Sequence, residues 1–344
     1  MSPRFPAEFE PHDATWIAWP HHEPDWPGKL EPIPWVYAEI VRVLHRHERV
    51  EILCHDEAVK ADAERALSAH GVRGNYRLHV VPNDRVWLRD SAPTVVYRDD
   101  GKPQLTNWKF NAWAKYANFE RDARVGEAVA RITGFQRVEP TRPDTGERVV
   151  LEGGAIDTDG AGTLLVTEEC LLSPVQARNP GLTRDGYETV FRDALGIRHT
   201  IWLGEGCVGD DTHGHVDDIA RFTAPDTVVL AYEDDPADEN HRRSVDNHDR
   251  LRLGGDDVFR IVRLPYPRAV VMNGERLPAS YANFYVANGV VIVPTFNDRN
   301  DRVALGTLAE LFPGREVVGI HAVDLVWGLG TLHCLTQQQP KRLG

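Results

Sequence analysis

Cysteine is scarce: the 344 residues hold four, at Cys54, Cys170, Cys207 and Cys334. None forms a CxxC pair or a zinc-ribbon spacing, and a disulfide framework is not expected in a chain of this length. Long apolar runs are missing too. No stretch nears the roughly 18 consecutive apolar residues of a membrane span. The opening run, Met1-Ser-Pro-Arg-Phe-Pro-Ala-Glu-Phe-Glu-Pro-His12, lacks the apolar centre of a signal peptide. A cytoplasmic protein without a membrane partner is the expectation. Positive charge is in deficit: 39 Lys and Arg face 52 Asp and Glu, a net charge of −13. A nucleic-acid binder would carry a basic face, so that class is set aside. An acidic field instead suits a small cationic substrate. Linkers rich in Ser, Gly or Pro are lacking, so one domain over residues 1–344 is expected. The hydrophobic share, 42%, is enough for a packed core.

Helices follow from apolar period and punctuation. They are expected over Trp35–His47, over Glu57–His70 with Asp56 as N-cap, and over Glu120–Ile132 before Gly134. Two more are Arg184–Leu195, between Thr183 and Gly196, and Asp301–Phe312 before Pro313-Gly314. The polar stretch Glu233 to Arg252 reads as a surface excursion, helical from Asn240 onward. Strands are expected at Val50–Cys54, Thr94–Tyr97, Thr163–Thr167, Thr227–Ala231 and Val290–Val293. The fold class is therefore α/β. Apolar runs centred near Val95, Leu165, Val229 and Ile292 recur at steps of about 70, 64 and 63 residues, and such a period suits a propeller as well as an ordinary α/β domain. In a ring of repeats the polar ends of inner strands meet at the centre. Those ends are Trp87-Leu-Arg-Asp90, Glu152-Gly-Gly154, Asp211-Thr-His-Gly-His-Val-Asp217 and His333-Cys334.

Among the cysteines, Cys334 has the most suggestive setting. A glycine-rich approach, Trp327-Gly-Leu-Gly-Thr-Leu-His333, precedes it, and the polar Gln-Gln-Gln tail behind it is odd for a buried structural strand. Cys54 and Cys170 read as structural, and Cys207 as a loop residue. His213, His215 and Asp217 would share one face of an extended strand. Such a face suits either a metal site or an acid/base with its orienting partner. The run is similar to the HxHxDH signature of the metallo-β-lactamase fold, with Asp218 in place of the last histidine. Asp90, before Ser-Ala-Pro, and Glu152, before Gly-Gly, read equally well as turn residues.

Several segments together resemble the agmatine deiminase and Porphyromonas-type peptidylarginine deiminase family. They are Phe9-Glu-Pro-His-Asp-Ala-Thr-Trp-Ile-Ala-Trp-Pro20, Trp87-Leu-Arg-Asp-Ser-Ala-Pro93, Phe110-Asn-Ala-Trp113, Leu151-Glu-Gly-Gly154 and Gly162-Thr-Leu-Leu-Val-Thr-Glu-Glu-Cys-Leu-Leu172. Gly214-His-Val-Asp217, Ser280-Tyr-Ala-Asn-Phe-Tyr285 and His333-Cys-Leu-Thr-Gln-Gln-Gln-Pro340 extend the resemblance over nearly the whole chain. It implies the pentein fold, a five-bladed α/β propeller of pseudo-fivefold ββαβ-type repeats. It also implies hydrolysis of a guanidinium to a ureido group with loss of ammonia, most simply agmatine to N-carbamoylputrescine. The resemblance makes Cys334 the nucleophile and His215 the general acid/base. Asp90, Glu152 and Asp217 become the carboxylates that clamp the guanidinium, Asp211 a further acidic substrate-binding position, and Trp87 a substrate-lining ring. Three runs depart from the usual pattern: His213 for Asp, Gly328-Leu-Gly-Thr-Leu-His333, and Asn111-Ala-Trp-Ala-Lys-Tyr116. They bear on the substrate's far end.

The chemistry implied needs no metal or organic cofactor, and a covalent amidino-cysteine intermediate is expected. Arginine, peptidyl-arginine or another guanidino compound is the alternative substrate. A zinc hydrolase built on His213, His215 and Asp217 is the rival of another class. A non-catalytic polyamine-binding protein is a third reading, which would leave the nucleophile without a task. A homodimer is the ordinary expectation for assembly.

Overall fold

The computed structural model describes residues 3–254 and 259–341, and five small sheets of one design organise them. In each sheet a middle strand pairs antiparallel with an inner strand and parallel with an outer one. Parallel neighbours require a crossover, and a helix supplies it each time. One sheet joins Thr94–Tyr97, Pro103–Thr106 and Gln136–Val138, crossing through the helix Val125–Thr133. The next joins Asp157–Thr158, Thr163–Thr167 and His199–Leu203 through Arg184–Leu195. Ala220–Ala224, Thr227–Tyr232 and Arg260–Pro265 follow through Glu239–Gly254, then Tyr285–Val286, Val290–Thr295 and Glu316–His321 through Asn300–Leu311. The remaining sheet joins both ends of the chain. Its inner strand is the late Gln337–Pro340, paired to His12–Ala18, which continues through Ile33–Leu44 to Arg49–Cys54 and through Glu57–Ala69 to Tyr76–Val80. No helix among the described residues is long and apolar enough to cross a membrane.

Local chemistry sets these bounds. Asp56 accepts from the Val59 N–H at 2.9 Å and caps Glu57–Ala69. Thr183 caps Arg184–Leu195, and Gly196 ends it in the left-handed conformation. The helix expected from Glu120 begins instead with a 3-10 turn at Asp122–Arg124, because the Asp122 carboxylate accepts the N–H groups of Asp84 and Arg85. The sequence period is out of phase at its first step. Val95 lies on an inner strand, and the middle-strand equivalent of Leu165 is Leu105. The Gln-rich tail, which looked too polar for a buried strand, is one. Gln338 accepts from Arg89 Nη1 at 2.6 Å and Gln339 from Trp16 Nε1 at 3.0 Å, so their burial is compensated.

A short helical turn precedes four of the inner strands: Leu88–Ser91, Gly153–Ala155, Val216–Asp218 and Leu332–Leu335. The segment Ser280–Asn283 stands in the same place before Tyr285. Beneath these turns lies Glu8, buried among donors from several sheets. Its Oε1 accepts from Arg221 Nη2 at 2.8 Å and from the Val286 N–H at 2.9 Å. Oε2 lies 2.9 Å from Arg89 Nη2 and 2.8 Å from His333 Nε2. Arg221 also grips Asp157 at 2.6 Å. Burial alone would raise the Glu8 pKa, but Arg221, His333 and Arg89 hold it well below the usual carboxylate range. Removing this carboxylate takes the buried counter-charge from Arg89 and leaves Arg221 with Asp157 alone. Glu8→Ala is expected to cost about 3–5 kcal/mol of stability, read from the urea midpoint. A loss under about 1 kcal/mol, the worth of an exposed pair, would show that the network is not integral to the fold.

Candidate active site

The turns above the Glu8 network carry the functional side chains. On Leu88–Ser91, Arg89 points down to Glu8 while Asp90 faces a cavity of about 410 Å³. Asp90, Cys334, Trp87 and Asp211 all line that cavity. His215, Glu152 and Asp217 are fully buried beside them. Asp90 Oδ1 accepts the Gly154 N–H at 3.1 Å, and Oδ2 accepts Trp113 Nε1 at 2.8 Å. Glu152 accepts from Arg178 Nε at 3.1 Å. Asp217 Oδ2 lies 2.6 Å from His333 Nδ1 and 3.9 Å from Cys334 Sγ, while its Oδ1 has no partner. Nδ1 of His215 lies 3.8 Å from Asp90 and Nε2 lies 3.5 Å from Glu152, so neither ring nitrogen makes a well-formed hydrogen bond. Unsatisfied buried groups of this kind need explanation, and here they surround the thiol's pocket.

The Gly-Gly after Glu152 is a packing requirement. A Cβ on Gly153 would come 2.2 Å from the Arg89 carbonyl oxygen. One on Gly154 would lie 2.5 Å from His215 Nδ1, 2.9 Å from Asp90 Oδ1 and 3.0 Å from Asp217 Oδ2. Three site groups thus converge on the space that Gly154 leaves open. Gly330 does the same on the other side, where a Cβ would meet the Trp87 ring at 2.8 Å and Cys334 Cβ at 3.1 Å.

Charge is arranged unevenly. Burial raises the Asp90 pKa to about 6, and Asp217 and Glu152 push the same way against His215. Burial acts on Glu152 too, but Arg178 and His215 win and hold it low. Asp217 is likewise lowered, because the hydrogen bond and charge of His333 outweigh its burial. For His215 burial favours the neutral ring, yet Asp90, Cys170 and Glu152 raise its pKa well above the ordinary value. The Cys334 thiol is pushed well up by burial, then by Asp217, Asp218 and Asp90.

His213 does not join His215 and Asp217 on one face. The Asp210 carboxylate accepts the N–H groups of Thr212, Gly214 and His215, so the chain turns where a strand was expected. His213 takes a φ of 65° and reaches Ser173 Oγ at 3.0 Å. Among the described residues the metal-type groupings are Glu152, Cys170 and His215, and Asp217, Asp218 and Cys334, and neither uses His213. Cys170, read from sequence as structural, lies against His215. Asp211 is on the pocket wall, but Lys115 pairs with it and the Tyr116 hydroxyl donates to it at 2.7 Å. Sequence reasoning assigned no role to Glu8, Trp113, Arg178 or Asn283. Trp113 and Asn283 lay within quoted motifs, whereas nothing around Glu8 marks it out.

A buried thiol, an imidazole and carboxylates gathered from several sheet ends share one pocket in a hydrolase of the guanidine-modifying kind. Residues 4–340 match the Porphyromonas-type peptidyl-arginine deiminase family, and the chain belongs to it. It is 35% identical over 363 residues to the agmatine deiminase of Stutzerimonas stutzeri, covering 97% of this chain and 95% of the relative. The structure of Enterococcus faecalis agmatine deiminase matches with a TM-score of 0.90 at 29% identity, covering 99% of this chain and 97% of that one. A C. jejuni agmatine deiminase, a cysteine-to-serine variant with substrate bound, matches at 0.88 and 26% identity, with the same coverages. Gly154→Ala tests the convergence of the site. It is expected to lower kcat/KM for guanidinium hydrolysis about 100-fold or more, while overpacking costs only about 1–3 kcal/mol of stability. Steady-state ammonia release and a urea titration check the two; unchanged kinetics would mean that the three groups do not work around this glycine.

Proposed function

We propose that the chain hydrolyses the guanidinium of agmatine to N-carbamoylputrescine and ammonia, within one catalytic domain over residues 1–344. On this reading the five sheets are the blades of a pentein propeller, each a ββαβ-type repeat. One observation carries the proposal: the Cys334 sulfur shares its pocket with Asp90 and lies 3.9 Å from Asp217, both drawn from distant sheets.

A guanidinium carbon is a poor electrophile, because three nitrogens share its charge. Carboxylates hold its planar N–H groups best. Asp90, Glu152 and Asp217 clamp the group and localise its charge, and Trp87 lines the approach. Holding the carbon about 3–3.5 Å from sulfur supplies much of the acceleration. The arriving cation offsets the carboxylates that keep Cys334 protonated, and the thiol proton leaves through the open pocket. Sulfur then attacks carbon, forming a C–S bond and a tetrahedral adduct. His215, carrying a proton because of its raised pKa, gives it to the departing nitrogen, so ammonia leaves as the C–N bond breaks. An amidino-thioether remains on Cys334. The neutral His215 takes a proton from water, whose oxygen adds to the same carbon. The C–S bond breaks with its electron pair returning to Cys334, the adduct's hydroxyl proton passes to that sulfur, and the neutral ureido product departs.

Free arginine, peptidyl-arginine or another guanidino compound is the alternative substrate to test, because Lys115 already pairs with Asp211 on the pocket wall. A panel of agmatine, arginine and short arginine peptides, scored by ammonia release, separates these. Cys334→Ser is expected to bind agmatine by calorimetry and to lose nearly all turnover; wild-type turnover would remove Cys334 as nucleophile.

Asp90 must be ionised to hold the cation. Its pKa, raised to about 6 by burial first, predicts an acid limb of kcat/KM rising through about pH 6. The same shift sets a stability trend. The folded pKa exceeds the unfolded one near 3.8, so native stability contributed by the neutral form is lost as pH rises between them. An Asp90→Asn variant should lose both the activity and that slope; if urea midpoints of the two proteins keep a constant difference from pH 4 to about 6, Asp90 is not the group concerned.

A further inference from the structure

Asn283 lies in the segment before the inner strand Tyr285–Val286, fully buried, and the mechanism above gives it no task. Its amide oxygen receives the His333 N–H at 3.0 Å, the Cys334 N–H at 3.3 Å and the Thr331 hydroxyl at 2.7 Å. Backbone N–H groups can only donate, so these contacts fix which way the amide faces. The NH₂ group must then point the other way. There it lies 3.0 Å from Cys334 Sγ and 3.0 Å from Asp218 Oδ1. One side chain therefore holds the backbone of the nucleophile's turn and directs an N–H at the nucleophile's sulfur.

We infer that Asn283 is a positioning residue for the reaction, aiming Sγ and stabilising it as a thiolate through an N–H donated to sulfur. The inference rests on Cys334 being the nucleophile. Its physical need is plain from what else faces the sulfur. Asp217 and Asp218 come from the turn Val216–Asp218, Asp90 from Leu88–Ser91, Tyr37 from the helix Ile33–Leu44, and His333 from the same turn as Cys334, with His215 across the site. All three acids oppose a negative sulfur. Asp217 is held ionised by His333, but Asp218 is raised well above the carboxylate range by burial, then by Asp217 and Asp210. A neutral Asp218 spares the sulfur one charge, and its Oδ1 takes the second amide hydrogen of Asn283. A donor aimed at the site of developing charge acts without reorganising during reaction.

The test separates this role from simple anchoring of the turn. Asn283→Asp keeps an oxygen for the two backbone N–H groups and removes the N–H donor. It is expected to lower kcat about 100-fold or more with KM within about threefold. The pH midpoint for alkylation of Cys334 by iodoacetamide, followed on its own peptide by mass spectrometry, should rise by about one pH unit or more. Thr331→Val removes only a hydroxyl bonded to the amide oxygen, and should leave that midpoint in place. Wild-type kcat and an unmoved midpoint in Asn283→Asp would overturn the inference, as would an equal rise in Thr331→Val. Should Asn283→Asp not fold, Asn283→Ser carries the same readouts. Alkylation does not depend on turnover, so a failure here is distinct from turnover surviving in Cys334→Ser, which would remove the nucleophile itself.

Discussion

A buried carboxylate must be compensated, and Glu8 is compensated by groups that the chain delivers from far apart. Arg89 comes from the turn before Thr94–Tyr97, Arg221 from the strand Ala220–Ala224 with its partner on Asp157–Thr158, Val286 from Tyr285–Val286, and His333 from the turn before Gln337–Pro340. Desolvating any of these alone would cost several kcal/mol per charge. Together they are stable only when all five sheets are assembled. The contact does more than hold the sheets. Arg89 precedes Asp90 in sequence, and His333 precedes Cys334, so fixing the first of each pair underneath fixes the second above. The reactive residues inherit their position from the structural ones beside them.

The same network sets the protonation states of the site. His333 bridges Glu8 to Asp217, which is why Asp217 stays ionised although no solvent reaches it. Arg178 does the same for Glu152. Asp90 has no such cation, only His215, and its pKa is left near the working range. Two carboxylates held low therefore stand beside one whose pKa is raised to about 6.

Much of this was legible in sequence, and the remainder failed for physical reasons. Middle strands such as Thr163–Thr167 have apolar, buried centres, and helices with a cap and a terminal glycine, such as Arg184–Leu195, could be read to the residue. Outer strands such as Tyr76–Val80 and Glu316–His321 are half exposed and polar, and gave no signal. Gln337–Pro340 misled because its burial is offset by Arg89 and Trp16, which no local pattern shows. The residues that meet at the pocket were picked out through motifs, yet their turn geometry was not. His213 and His215 alternate in sequence as strand residues would, but the Asp210 carboxylate gathers the intervening N–H groups and breaks the alternation. Glu8 and Arg178 meet their charged partners across long stretches of sequence, so neither could be found from its neighbours.

The run Asn111 to Tyr116, which departs from the related pattern, explains why the outer pocket differs in character from its floor. Ala112, Trp113 and Ala114 all have φ between 51° and 58°, a left-handed turn that costs L-residues roughly 1–2 kcal/mol each. Strain of that size persists where the surroundings over-determine it. Here Asn111 accepts the Ala114 N–H, Gln176 donates to the Trp113 carbonyl, and Trp113 donates to Asp90. Beyond the turn, Lys115 and Tyr116 both engage Asp211. A carboxylate that could meet a substrate's distal cation is thus already paired with the protein's own ammonium group. Near the same mouth Arg85 pairs with Asp25. The floor keeps Asp217 Oδ1 without a partner, while at the mouth Asp211 and Asp25 are each matched by a base. The floor and the mouth of the pocket are therefore electrically unlike. The strained turn joins them, because Trp113 touches Asp90 at one end and Lys115 holds Asp211 at the other.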